Sequence, residues 1–356
     1  MRPLFRVATT CLLLACLSPA VGGEIYYRTL AQTNTRPLGM AGAFTAVPCE
    51  FEAALYNPAT FVHGQGFGGA LDLGLTGYWL FRGFDEEARL EDVELGGSPD
   101  SDYLSLALST LVGFKSLSYT AGGFSAFINL WEAALHPPAS YADPHFFHVR
   151  GLWANRSNTL GVNYRFREAG VALGASASYY TRELPVEDGI EPGGEELERR
   201  SGYGFTFGAL WEFQPSFFAG ATFVELPEGL GEARAGLEGL GDETINLGLS
   251  WRLRPDAIVA LDVRNLVNAG SAAFRELRLG VDQRLLNHVT FRGGYAYTAE
   301  EEHLWSLGLG IGDGRLGAAG SIPTNLVQSN YVLNYAFVKN QTTLDAYHLM
   351  SFIVTF

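Results

Sequence analysis

The chain ends on a segment in which apolar and polar residues alternate. Over residues 348–356 the apolar side chains fall at every second position, namely Met350, Phe352, Val354 and Phe356. Because side chains on a β-strand point alternately to its two faces, these four residues share one face. An ordinary edge strand of a sheet would show the same local pattern, so the segments upstream decide how it is interpreted.

The same alternation recurs from about residue 69 onward. It is clearest over 171–179, 204–213, 245–253, 277–282 and 289–295. In 277–282, for example, leucine and valine alternate with Arg278, Gly280 and Asp282. Repeated segments of about ten residues that are apolar on one face fit a membrane barrel, with lipid outside and a polar lumen inside. In lipid every backbone amide must be paired, and a closed sheet is the only solution that uses strands.

The connections between these segments alternate in length. Short turns are predicted near Lys115, Glu168, Gln214-Pro215, Arg254-Pro255, Leu286-Asn287 and Asp313-Gly314. Longer connections are predicted over 85–101, 132–145, 184–200, 227–242, 267–272, 299–302 and 338–343. This alternation predicts an all-β fold, a transmembrane antiparallel β-barrel of about 14 strands with both termini on the short-turn, periplasmic side. A β-sandwich has no reason to separate its loops in this way.

The negative charge of the chain is concentrated in four of the long connections. Residues 85–101, 184–200, 227–242 and 299–302 hold 20 of the 38 acidic residues and four of the 24 basic ones. The acidity therefore belongs to the outer loops and says little about the lumen. It fits solubility and bridging by divalent cations to lipopolysaccharide, or a specific ligand. It argues against nucleic acid as a partner, since nucleic-acid binding needs basic patches.

The N-terminus has the pattern of a secretory signal. Arg2 and Arg6 precede an apolar stretch, and small residues before Glu24 form a cleavage site. We therefore expect a signal peptide over 1–23 and an outer-membrane location. A cut before Cys16, which would leave that residue acylated, is the alternative. No other segment offers about 18 uncharged apolar residues, which excludes a helical membrane protein.

Cysteine usage leaves little room for bound metals. Cys49 is the single cysteine after residue 23, so neither an internal disulfide nor a paired-cysteine metal site can form. No motif for a nucleophilic serine is present. We expect no cofactor, no metal and no catalytic residues.

Residues 24–68 precede the first strand and do not alternate. They contain Arg-Pro-Leu-Gly-Met-Ala-Gly-Ala-Phe-Thr-Ala at 36–46 and Ala-Leu-Tyr-Asn-Pro-Ala at 54–59. Gly39 and Gly42 permit close backbone approach, and Asn57-Pro58 initiates a turn. The small, apolar residues between them could pack inside a lumen lined by Gly, Ser and Thr. This predicts either a compact plug or a short capping helix. The barrel itself is assigned to 69–356.

These motifs resemble the N-terminal signature of the FadL-type outer-membrane transport superfamily, in particular its PorV/PorQ-like branch. Later segments are similar too, namely 255–266, 277–295 and 333–337. The resemblance implies that the N-terminal segment folds into the barrel as a hatch. The hatch residues that it implies are Gly39, Gly42, Ala43, Asn57, Pro58 and Ala59.

The resemblance also implies two alternative functions. Family transporters pass hydrophobic molecules through a gap in the wall beside a kinked strand. Gly122 and Gly123, in the predicted third strand, are the candidate lateral gate, or a tolerated glycine pair. PorV-like members instead shuttle or anchor secreted protein cargo. This chain is shorter than the fatty-acid transporters.

Charged residues occupy lumen-facing positions of neighbouring predicted strands. They are Arg252, Asp262, Arg264, Glu276, Arg278, Asp282 and Arg292. They form either a ladder of paired charges that stiffens the barrel or contacts to the hatch or a ligand carboxylate, which arginine can bind bidentately.

The sequence therefore predicts an outer-membrane β-barrel that acts as a passive channel for hydrophobic or amphipathic solutes, gated by an N-terminal hatch. The alternative is a PorV-like secretion or surface-anchoring partner. Its expected partners are outer-membrane lipid and lipopolysaccharide, with either a hydrophobic small molecule or a secreted cargo. A surface enzyme would need a triad at the rim that the sequence lacks.

Overall fold

The computed structural model describes the chain from residue 35 to residue 355, with gaps. The described ranges are 35–49, 51–61, 65–72, 114–133, 156–185, 197–225, 243–266, 275–286, 288–298, 303–312, 330–341 and 346–355. The predicted signal peptide, most of the predicted long loops, the turn predicted at Asp313-Gly314 and the terminal Phe356 lie outside these residues.

Two short helices and a 3₁₀ turn precede the sheet. They are α1 (Thr35–Gly39), α2 (Phe51–Ala54) and the 3₁₀ turn Pro58–Thr60. Asn57 caps the 3₁₀ turn, since its side chain accepts a hydrogen bond from the amide of Ala59. Pro58 at the first position of this turn has no amide hydrogen to leave unpaired.

The described residues form 14 strands. They are β1 (Gly66–Asp72), β2 (Phe114–Ala121), β3 (Phe124–Ala133), β4 (Arg156–Phe166), β5 (Val171–Pro185), β6 (Leu197–Gln214), β7 (Phe217–Glu225), β8 (Glu243–Arg254), β9 (Ala257–Arg264), β10 (Glu276–Leu286), β11 (Val289–Thr298), β12 (His303–Gly312), β13 (Asn330–Asn340) and β14 (Ala346–Thr355).

The strands close into one barrel. Each strand pairs antiparallel with its neighbour in sequence, and β1 pairs with β14 through Ala70 and Thr355. The predicted all-β fold and the predicted number of strands are therefore confirmed. β1 begins at Gly66, slightly before the predicted start of the barrel at residue 69.

Five connections of two to four residues lie at one end of the barrel, four of them where the sequence predicts a short turn. Tight turns follow Phe166, Gln214, Arg254 and Leu286, at or beside the predicted positions. The turn predicted near Lys115 is wrong, because this residue lies within β2. We call the end that carries these tight turns the turn end and the opposite end the loop end.

Alternation along the strands separates an apolar outer face from a polar inner face. On β10, Leu277 and Val281 are 47% and 39% exposed, whereas the residues that follow each of them, Arg278 and Asp282, are buried. On β6, Phe205, Phe207 and Trp211 are exposed and Thr206 is buried. This is the reverse of a soluble barrel and is the pattern that lipid outside and a polar lumen require.

Among the described residues, no helix combines the length and the hydropathy needed to cross a membrane.

Candidate functional site

The inner face of the barrel encloses residues 35–49 and 51–61, which we call the lumenal segment. Its α1 contacts β11–β14, and its 3₁₀ turn contacts β4–β6. Most of its side chains are buried, including Leu38, Met40, Phe44 and Asn57. The segment thus bridges opposite sides of the lumen.

The first part of the segment, residues 35–47, is bound by strands β8–β14. The Thr35 hydroxyl lies 2.6 Å from that of Ser351 on β14. The amide of Ala41 donates to Ser306 Oγ on β12 at 2.8 Å. On β8, Ser250 Oγ donates to the carbonyl oxygen of Ala46 at 2.6 Å.

Asp262 on β9 holds the middle of this first part. Its Oδ2 accepts hydrogen bonds from the amides of Phe44 and Thr45, each at 2.8 Å. Asp262 is fully buried. Because two amide donors share one carboxylate oxygen, the contact is charge-assisted and fixes the backbone direction of the segment.

The second part of the segment, residues 51–61, is bound by strands β3–β6. Asn163 Nδ2 on β4 donates to the carbonyl oxygens of Pro58 and Phe61 at 3.1 and 2.8 Å. Asn129 Nδ2 on β3 donates to the carbonyl of Phe51 at 3.4 Å. The ring of Phe61 packs against Phe127, with 5.0 Å between centroids. All of these contacts are neutral.

Asn57 joins the two parts and the wall. Its Nδ2 donates to the carbonyl of Thr45 at 2.7 Å and to that of Ala209 on β6 at 3.1 Å. Its Oδ1 accepts from the amide of Ala59 at 3.0 Å. The side chain of Asn57 thus connects the 3₁₀ turn to the first part of the segment and to β6. These contacts need a side chain that both donates and accepts hydrogen bonds, as an amide does.

Seven glycines on the inner wall make room for this segment. A β-carbon added to any of them would lie within 3.1 Å of an atom of the segment: Gly174, Gly208, Gly220, Gly248, Gly280, Gly294 and Gly308. Six of them are cross-strand partners, in the pairs Gly174–Gly208, Gly220–Gly248 and Gly280–Gly294. We call these seven residues the wall glycines. They let the backbone of the segment approach the sheet directly.

Gly42 is required on the segment itself. It has a φ of +73°, a left-handed conformation that favours glycine, and it follows Ala41 with a φ of 52°. A β-carbon there would collide with the guanidinium of Arg278. Arg278 is fully buried, contacts the carboxylate of Glu276 and donates to the carbonyl of Ala41 at 3.3 Å.

A second ion network forms around Asp282, which lies nearer to the turn end of β10 than Glu276 and Arg278 do. Arg36 Nε donates to Asp282 Oδ2 at 2.9 Å, and Arg292 Nε lies 3.3 Å from the same oxygen. Arg292 also donates to Asn334 on β13 at 2.8 Å. Glu52 on α2 lies 3.6 Å from Arg36 Nη1 and ties the second part of the segment to the first.

The charge of Arg36 is maintained in this buried position. Burial by itself lowers the pKa of Arg36, but the neighbouring Cys49, Asp282 and Glu52 outweigh it and raise this pKa above its ordinary value. Cys49 Sγ accepts from Arg36 Nη1 at 2.7 Å. Because Arg36 stays cationic, removing both partner carboxylates would leave an unpaired buried charge, which is strongly unfavourable.

The remaining predicted lumen charges lie at the two ends of the inner face. Arg264, at the loop end of β9, places its guanidinium 5.8 Å from the ring of Tyr56. Arg252, near the turn end of β8, lies 5.5 Å from the ring of Phe218. The seven predicted lumen charges therefore share the inner face, where Arg252 lies against a side chain of the wall.

The structure corrects the predicted position of the lateral gate. Gly122 and Gly123 form the tight turn between β2 and β3, where Gly122 has a φ of 62°. A turn at the rim does not kink a strand in the wall, so this prediction is wrong in its location. A glycine pair suits a tight turn as well as a kinked strand, and the sequence could not distinguish them.

An irregularity does occur in the third strand, closer to the loop end. β3 pairs with β4 through Asn129–Thr159 and next through Glu132–Ser157. β3 therefore has one residue more than β4 between these pairs, which defines a β-bulge. Asn129, beside this bulge, is the residue that binds the carbonyl of Phe51.

Apolar side chains fill the space around the ion networks. One cluster joins Met40, Ala43, Phe44, Val47, Cys49 and Tyr56 of the segment to Ile258 and Ala260 of β9. Another joins Ala46 and Ala59 to Ala172, Leu210 and Phe218 of the wall. Of the predicted hatch residues, Ala43 and Ala59 therefore contribute packing, whereas Asn57 contributes hydrogen bonds.

No role is predicted from the sequence for Arg36, Glu52, Asn129 or Asn163, and the wall glycines are predicted only as part of a lumen lined by Gly, Ser and Thr. Arg36 lies within the N-terminal motif, but the residues around it give no hint of its partner on β10. The glycines had a detectable signal, since they fall on the inward positions of the predicted strands.

Comparison with known proteins gives structural likeness at low sequence identity. The structure of a CymD monoaromatic hydrocarbon channel is 13% identical, covers 92% of this chain and 97% of its own, and has a TM-score of 0.46. That of a Pseudomonas aeruginosa FadL homologue is 14% identical, covers 91% and 98%, and has a TM-score of 0.40. A KdgM porin is 12% identical, covers 57% and 92%, and has a TM-score of 0.32.

No protein-family model and no curated protein match the sequence. At the low TM-scores of the structural neighbours, the assignment of the barrel rests on its own sheet topology and exposure pattern.

Proposed function

We propose that the protein is an outer-membrane channel for hydrophobic or amphipathic solutes, in which the lumenal segment acts as the hatch. The chain would reach the outer membrane through a cleaved N-terminal signal and lie among phospholipid and lipopolysaccharide. The proposal includes no catalytic role and no cofactor. It follows the resemblance to FadL-type transporters and is supported by the geometry of the lumen.

The observation that carries the proposal is the occupied lumen. Residues 35–61 bridge the inner face from β3 to β14, against wall glycines that bring backbone to backbone. A general porin needs a continuous water-filled channel. We expect a lumen bridged in this way to lack that route, so that hydrophilic solutes do not diffuse through it while the segment is in place.

The outer surface supports a membrane location. Large apolar side chains on most strands face outward and are exposed, among them Phe67, Leu160, Leu249 and Leu307. In water such a surface would drive aggregation, whereas in a bilayer it contacts lipid chains. The β-bulge in β3 offers a place where the wall can open toward the lipid, beside Asn129 and the segment.

A disulfide across the contact of Asn57 with Gly208 tests whether the segment must move. A β-carbon on Gly208 would lie 3.1 Å from Asn57 Cγ, so cysteines at both positions are close enough to be cross-linked after small shifts. The variant carries Cys49→Ser as well, so that one pair is present. Initial uptake of radiolabelled dodecanol by cells with an intact outer membrane is measured before and after reduction.

The proposal expects little uptake with the disulfide formed and recovery on reduction. Uptake that is the same in both states contradicts a moving hatch. The reduced form of the same variant is the matched control, since it carries identical substitutions.

A PorV-like platform for secreted cargo is the second candidate. The firm fixation of the segment favours it, because buried ion pairs to Asp282 and hydrogen bonds to Asp262 and Asn163 suit a permanent filling of the barrel. In this case the loop end would bind the partner. Mild purification followed by mass spectrometry of retained proteins tests it. Isolation without any protein partner, together with normal secretion in a deletion strain, dismisses it.

A further inference from the structure

Most of the described charged side chains of the inner face lie on one side of the barrel. On β9–β11, the described inward positions carry Asp262, Arg264, Glu276, Arg278, Asp282, Arg284 and Arg292. On β2–β7, the inward charges among the described side chains are Arg165 and Glu212. These two lie next to the turn end and 4.0 Å from each other. We call the inner face of β2–β7 the neutral wall.

Three pairs of hydroxyl and amide groups on the neutral wall form hydrogen bonds with each other. Thr159 and Ser178 are 2.6 Å apart, and Thr120 donates to Ser125 at 3.0 Å. Ser116 donates to Asn129 at 2.6 Å. Because these groups are already paired, the wall offers a passing molecule a weakly polar surface without a cation at mid-depth among its described side chains.

The two parts of the lumenal segment are held by different kinds of contact. Residues 35–47 are fixed to β8–β14 by charged groups, through Arg36 with Asp282 and through the Asp262 carboxylate. Residues 51–61 contact β3–β6 through neutral hydrogen bonds and ring packing. Their charged contacts, of Glu52 with Arg36 and of Tyr56 with Arg264, are with the first part and with β9. Hydrogen bonds to charged groups are stronger than neutral ones. The second part is therefore the one that separates from the wall first.

We propose that solutes pass between residues 51–61 and the neutral wall, and that they are uncharged amphipathic molecules such as long-chain alcohols. The inference rests on the proposed channel function and names its substrate class and route. Beside the described mid-depth side chains of this wall, a carboxylate would leave water without gaining a cationic partner, which is strongly unfavourable. A neutral hydroxyl loses far less on the same path.

The solute test compares dodecanol with dodecanoate at pH 7.5. Both have the same chain, and the carboxylate is ionised at this pH. Initial uptake of each radiolabelled solute is measured in cells that lack other transporters of this kind, with and without the protein. We expect protein-dependent uptake of dodecanol about tenfold faster than that of dodecanoate.

The test of the route compares two variants, each of which weakens one part of the lumenal segment's contact with the wall, and one disulfide that fixes the first part. Asn163→Ala removes both hydrogen bonds that hold residues 58 and 61, and we expect dodecanol uptake to rise about tenfold. Ser306→Ala removes a contact to the first part, at Ala41, and we expect no comparable rise. A disulfide between cysteines at Thr35 and Ser351, in the Cys49→Ser background, ties the first part to β14, and we expect uptake to persist.

The outcomes separate this inference from the channel itself. Protein-dependent uptake of dodecanoate equal to or faster than that of dodecanol overturns the inference and leaves the channel standing, most clearly if Arg264→Ala abolishes it. Loss of uptake in the oxidised Thr35–Ser351 variant also overturns the route. Absence of protein-dependent uptake of either solute overturns both the inference and the proposed function.

Discussion

Arg36 and Asp282 are separated by 246 positions in the sequence and form an ion pair inside the barrel, with 2.9 Å between Nε and Oδ2. The contact joins the first helix of the lumenal segment to the inner face of β10. Both residues are buried. The lumenal segment, which precedes the sheet in the sequence, is thereby bound to a strand in the second half of the chain. The strength of this contact determines how firmly the segment is held in the lumen.

Replacement of Arg36 by alanine is expected to release the first part of the segment. Asp282 would keep Arg292 as a partner, whereas Asp282→Ala leaves two buried arginines without their shared carboxylate. We expect the aspartate variant to lose about 3–5 kcal/mol of docking free energy and the arginine variant less. Protease protection of residues 35–61 in detergent measures the difference. Equal protection in both variants would argue against a shared network.

Replacement of Asp262 by alanine is expected to leave two backbone amides of the segment without a hydrogen-bond acceptor. The amides of Phe44 and Thr45 would lose their acceptor, and each unpaired buried amide costs about 1–3 kcal/mol. Amide hydrogen exchange at residues 44 and 45 should therefore become faster. Asp262→Asn is the matched control, since its carbonyl oxygen still accepts. Unchanged exchange in the alanine variant would contradict the assigned contact.

Two adjacent glycines of β11 test whether the wall glycines make room for the lumenal segment. Gly294→Ala adds a methyl group that collides with Met40 and Ala41, whereas at the adjacent Gly293 an added β-carbon meets no atom within 4 Å. We expect Gly294→Ala to displace the segment at a cost of about 1–3 kcal/mol. Gly293→Ala should be close to neutral. Thermal unfolding of the two variants, followed by loss of the heat-dependent gel shift, compares them directly.

The link between the two parts of the segment predicts an effect of Glu52 on transport. Glu52→Gln removes the ionic contact with Arg36 at 3.6 Å but keeps the size of the side chain. We expect residues 51–61 to separate more readily and dodecanol uptake to rise several-fold. Arg36 retains Asp282 in this variant, so folding should be preserved. A fall in uptake without loss of protein would count against the link.

The sequence predicts the barrel well because alternation is a local property. On β10, the order of Leu277, Arg278, Leu279 and Gly280 alone identifies which residues face outward. The same locality explains the incorrect position of the gate. A glycine pair at 122–123 is compatible with a strand kink and with a tight turn, and Lys115 carries no signal that separates a turn from a strand interior.

The contacts inside the lumen could not be predicted to the same degree. Which inward glycine meets which residue of the segment depends on the register of the closed sheet and on the path of residues 35–61. The pairing of Arg36 with Asp282 depends on the same long-range geometry. The hatch residues implied by resemblance lie against the inner wall, and their role in gating stays a prediction.

Electrical conductance across a planar bilayer tests the occupied lumen most directly. The folded protein, verified by its heat-dependent gel shift, is compared with a variant that lacks residues 35–61. Our account predicts almost no steady conductance for the full chain and a large, stable conductance for the variant. A steady, porin-like conductance of the full chain would contradict it.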